Sequence, residues 1–103
     1  MEEEEEKERR ECEEDIKSYC EGKLRNVKKK MESNMSTVDI IKEIRKNKSQ
    51  LTKKIMEIKY ANEGEKREME TRIKDLNSTS REISKLERIM MERYNEEIKD
   101  KEK

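Results

Sequence analysis

Cys12 and Cys20 are the only thiols in this 103-residue chain, and they stand eight residues apart. On one helix that spacing is ~12 Å of rise, too far for an internal disulfide. It is also not the CxxC pair of a zinc clip. The chain has no His, which removes the commonest general base and the commonest nitrogen ligand for a metal. Ser–His and Cys–His nucleophile pairs therefore cannot form within it. Acidic residues number 27, so carboxylate pairs at helical spacing carry no information. A carboxylate on a solvated helix has no apolar pocket to raise its pKa. Gly22 and Gly64 stand alone, without the glycine cluster of a phosphate-cradling loop. The sequence predicts no catalytic residue, no metal site and no cofactor.

The remaining chemistry is charge. Residues 1–15 hold ten acids and three bases, net −7, whereas residues 23–54 hold eleven bases and three acids, net +8. Like charges at i, i+4 repel, so the acidic start is expected to fray and 16–103 to form the structured part. The basic tract 23–54 is carried by Lys28, Lys29, Lys30, Lys42, Arg45, Lys46, Lys53 and Lys54. It can contact partner helices, an acidic polymer surface, or phosphates. No aromatic residue interleaves with it, so base stacking is unsupported. The apolar stripe runs through the tract instead of starting after it, unlike a bZIP segment. A nucleic-acid role is the lesser alternative.

The elements carrying these charges are helices. Leu, Ile, Val and Phe together number 16, too few to bury the core of a layered enzyme or a β-sandwich. No apolar run reaches the ~18–20 residues that cross a bilayer. The acidic start is unlike a secretion signal, which leads to an expected intracellular, cytoplasmic or cytoskeletal location. Pro is absent, and Glu, Lys, Arg and Met all favour helix.

Apolar spacing defines a heptad seam. Cys20, Val27, Ile41, Ile55, Met69, Leu76, Ile83 and Met90 fall at position d, and Leu24, Met31, Val38, Ile73 and Tyr94 at a. The frame fails in the middle, where Ile44, Leu51 and Ile58 continue the stripe after a three-residue step. A later four-residue step restores the original frame. Such a stripe predicts an all-α, elongated coiled coil. Asn34, Lys48 and Asn62 fall on the seam as polar residues that fix register at a cost in stability. Residues 59–68 form its weakest stretch. Glu6–Arg10, Glu13–Lys17, Glu21–Arg25, Glu63–Arg67, Glu68–Arg72, Glu70–Lys74 and Glu97–Lys101 have the favourable order for helical ion pairs, each worth ~0.2–0.5 kcal/mol.

Four places test whether the helix is continuous. Gly22 is destabilising within a helix. Ser33–Thr37 is a polar patch in which Ser36 and Asp39 match a capping box. Asn77–Ser80 is another, with Thr79 and Glu82. Gly64 would divide the chain into arms 24–60 and 65–101 of equal length. No Pro or second Gly reinforces a turn there, so a continuous rod is favoured and a hairpin turning near Gly64 is the alternative. In helix type the chain resembles heptad segments of tropomyosin-like, kinetochore, ciliary and tethering proteins. That likeness implies a structural setting and carries no site residue. The expected function is a non-enzymatic scaffold that oligomerises with partner helices, its own or another protein's, in a cytoskeletal assembly. A helical hairpin adaptor is an alternative.

Overall fold

A computed structural model describes residues 2–60 and 66–102, with side chains from Asp15 onward within those ranges. The described residues form α1 (Glu2–Met31), α2 (Thr37–Tyr60) and α3 (Lys66–Glu102). The all-α, elongated expectation holds. The favoured continuous rod gives way to a chain folded back on itself, 69 × 22 × 15 Å in extent. One unbroken helix of this chain would reach ~150 Å.

The first break falls in the polar patch after α1. Glu32 and Ser33 donate their backbone N–H groups to Lys28 O and Lys30 O, each at 3.1 Å, closing the last turn. Ser33 Oγ also donates to Lys30 O at 2.6 Å. Ser36 then caps α2: its Oγ accepts from Asp39 N at 3.2 Å, and its carbonyl accepts from Ile40 N at 3.0 Å. This is the serine half of the expected capping box, and it satisfies an otherwise orphaned N–H. Gly22 does not interrupt α1, and Asn77–Ser80 runs unbroken inside α3. The turn expected near Gly64 lies outside the described residues.

Cross-helix contacts fix the topology. Tyr19 and Asn26 of α1 meet Gln50 and Asn47 of α2, so those helices run antiparallel. Thr37 and Lys48 of α2 meet Glu97 and Glu87 of α3, so that pair is antiparallel too. Helix α1 is then parallel to α3. All three helices touch one another, giving a three-helix bundle.

The core is Ile16, Cys20 and Val27 from α1, Ile40, Ile41, Ile44 and Leu51 from α2, and Leu76, Ile83 and Met90 from α3. Burial is tightest around Val27, Ile40, Ile44, Leu51 and Ile83, which are fully enclosed. It thins towards the other end, where Ile55, Ile58, Met69 and Ile73 are half-buried. An aliphatic side chain fully buried in this way stabilises by ~1.5–3 kcal/mol. The stripe expected to meet a separate partner helix is thus covered mainly by the chain's own helices.

Candidate protein-docking surface

The structure sorts the seam residues by depth. Val27, Ile41, Ile44, Leu51, Leu76, Ile83 and Met90 lie in the core, with Leu24, Met31, Ile55, Ile58 and Tyr94 packed around it. Val38 lies outside, 42% exposed. Asn34 sits in the exposed turn between α1 and α2 and is not on a helical stripe. Asn62 lies outside the described residues. Lys48 is half-buried and pairs with Glu87 across the α2–α3 boundary at 3.4 Å.

The buried polar residues are ones that the single heptad frame skipped. Asn47 is 1% exposed. It donates from Nδ2 to Glu43 O at 2.7 Å, and its Oδ1 accepts from Asn26 Nδ2 at 3.2 Å. Thr37 is also buried and donates to Glu97 Oε1 at 2.7 Å. That hydrogen bond, with the guanidinium of Arg93 close by, holds the Glu97 carboxyl below its ordinary pKa. Ile40 and Asn47 were findable by starting the count at the Ser36 cap. A helix packed against two neighbours buries a broader stripe than a two-stranded seam requires.

Tyr19 anchors the α1–α2 boundary. Its hydroxyl donates to Gln50 O at 3.2 Å. Lys23 and Lys54 lie over its ring, with Nζ 5.2 and 5.5 Å from the centroid. Lys23 also donates to the Gln50 side chain. Burial, with Glu57 nearby, raises the phenol's pKa. Cys20 is a buried free thiol whose pKa is raised first by desolvation. Its surroundings are those of a small core residue, with Thr79 beside it.

The basic tract is spread over two helices. Lys28, Lys29, Lys42, Lys46 and Lys53 are exposed, and none forms an ion pair with another described residue. Lys30 is half-buried. Arg45 reaches Glu87 at 3.6 Å and Lys54 reaches Glu57 at 3.8 Å. Of the expected i, i+4 pairs Glu68–Arg72 forms, at 3.7 Å, whereas Glu97 pairs with Arg93 at 3.2 Å and not with Lys101.

One apolar depression opens on the surface at the end of the bundle where α2 begins. It is lined by Val38, Ile41, Lys42, Arg45, Met91 and Tyr94, and holds about 220 Å³. Ile98, one turn beyond Tyr94, is 36% exposed. Sites for drug-sized ligands usually offer ~300–1,000 Å³, so this depression is smaller than those. Beyond Arg45 a second, polar depression is lined by Lys48, Ser49, Thr52 and Glu87.

Among the described residues no helix is long and apolar enough to cross a membrane. No group of three or more His, Cys, Asp or Glu among them is placed to hold a metal ion. The fold defines a charged three-helix bundle. Compared with known families, curated proteins and solved structures, the chain finds no match.

Proposed function

We propose that this protein is a non-enzymatic structural adaptor, a short helical spacer that joins a larger assembly by docking a partner on its surface. The observation that carries this reading is the α2–α3 depression, where Val38 is exposed beside Met91 and Tyr94 and Lys42, which makes no ion pair with another described residue, lines the rim. Exposed apolar surface rimmed by polar groups is a common mark of an interaction site. Because the chain's own helices cover most of the seam, the adaptor form of the function is preferred to an open coiled-coil strand. The setting we propose is a cytoskeletal polymer or similar acidic assembly, whose charge complements Lys28, Lys29, Lys42, Lys46 and Lys53.

A photo-crosslinking amino acid at Val38, in the cells that make the chain, tests the docking. Discrete adducts to another protein are expected from position 38, with few from position 78 on the exposed side of α3. Equal yields from both positions, or none from 38, would remove this reading.

A further inference from the structure

We propose that the α2–α3 groove receives an amphipathic helix whose apolar anchors are flanked by Asp or Glu. This rests on the docking reading and names the partner's chemistry. Four of the six lining residues, Val38, Ile41, Met91 and Tyr94, form an apolar floor, and the other two, Lys42 and Arg45, are cations; no carboxylate lines it. Arg45 is already engaged by Glu87 and touches Met91 Sδ at 3.9 Å. Lys42 makes no ion pair with another described residue. An incoming carboxylate would therefore meet an uncompensated charge beside a surface that excludes water, where its attraction exceeds that of an open surface pair.

The groove's shape favours a helix. Beyond Arg45, which lines both, a second and polar depression is lined by Lys48, Ser49, Thr52 and Glu87. Glu87 is already paired with Arg45 and Lys48, so the partner's acidic flank belongs at the Lys42 end. From Val38 to Thr52 along α2 is ~21 Å, the length of about four helical turns. A fourth helix laid there would pack its ridges into the groove, as neighbouring helices generally do. Apolar residues spaced one turn apart would enter the floor.

Two other occupants fit less well. A second copy related by a two-fold axis would bring two sets of Lys42 and Arg45 into one interface. The acidic segment 1–15 of another copy has the charge, but its only apolar residues are Met1 and Cys12.

The test uses three synthetic helical peptides of equal length. The first carries two Leu one turn apart with flanking Glu, the second the same Leu with flanking Lys, and the third Ser in place of Leu with flanking Glu. Binding to the full chain is read by fluorescence anisotropy at low and at high salt. The Glu-flanked Leu peptide should bind about tenfold more tightly than the Lys-flanked one, with the gap narrowing as salt rises. The Ser peptide should not bind. Val38→Asp should abolish binding, Lys42→Glu should reverse the preference, and Lys74→Glu, exposed on α3 outside the groove, should change nothing. Circular dichroism of each variant confirms that the bundle is intact.

Equal affinity for the Glu and Lys peptides would overturn the acidic partner and leave the docking reading standing. Failure of both Leu peptides, or unchanged binding by Val38→Asp, would overturn the groove as a helix site. Sedimentation showing a dimer that Val38→Asp dissociates would make a second copy the occupant, and would overturn the proposal equally. The crosslinking result at position 38 judges the adaptor reading separately.

Discussion

At the scale of single residues, Asn47 does more than any charged side chain to define how α1 meets α2. It is enclosed, its amide donates to its own helix, and its carbonyl accepts from Asn26. A one-turn slip of α1 would leave that carbonyl unpaired in the interior. Asn47→Ala should lower folding stability by ~1–3 kcal/mol, and by more than Asn26→Ala, whose site is half-buried. Urea unfolding of the two variants checks this. Cys20 makes a prediction in pH. Burial raises its thiol pKa in the folded chain, so the folded state holds that proton more tightly than the unfolded state. The resulting stabilisation is complete below the ordinary thiol pKa and is lost as pH rises through the higher folded value. The stability difference between the native chain and Cys20→Ala should therefore shrink between neutral pH and strongly alkaline pH. A constant difference would show that Cys20 does not titrate differently on folding.

At the scale of elements, helix type and apolar stripe were legible from the sequence, and the number of helices was not. The heptad count treated Val27, Ile41, Leu76 and Ile83 as one edge facing outward, and they converge instead on a shared interior. Residue spacing records which face of a helix is apolar but does not record what covers it. The three-residue step that brings Ile44 onto the stripe coincides with the restart of α2 after its cap. Ser36–Asp39 was visible as a cap, but Thr79–Glu82 has the same pattern and lies inside α3. The difference is tertiary: α3 is held through that point by burial of Leu76 and Ile83. The docking depression was not legible, because it needs α2 and α3 side by side. Gly22 offers a clean test at this scale. A Cβ built there meets nothing within 4 Å, so Gly22→Ala should stabilise the chain by ~0.5–1 kcal/mol through helix propensity alone, seen as a higher thermal midpoint.

For the whole molecule, the fold-back has a direct spectroscopic signature. Spin labels at Lys29 and Arg88 should lie within ~30 Å, since packed helices are ~8–10 Å apart and the labels add their own reach. A single rod would hold them ~90 Å apart. Double electron–electron resonance distinguishes the two at once. On the proposed adaptor role, the extent of 69 Å also bounds the gap that the bundle could bridge alone. One feature of the bundle then sets how it bears load. Its side chains interlock fully around Leu51 and Ile83 but only partly around Ile58 and Ile73. Tension would therefore peel the helices from the Tyr60 end first, like a zip with its slider at the looser teeth. A partner seated beside Val38 would be gripping the opposite end, and would keep its hold after the far turns had parted.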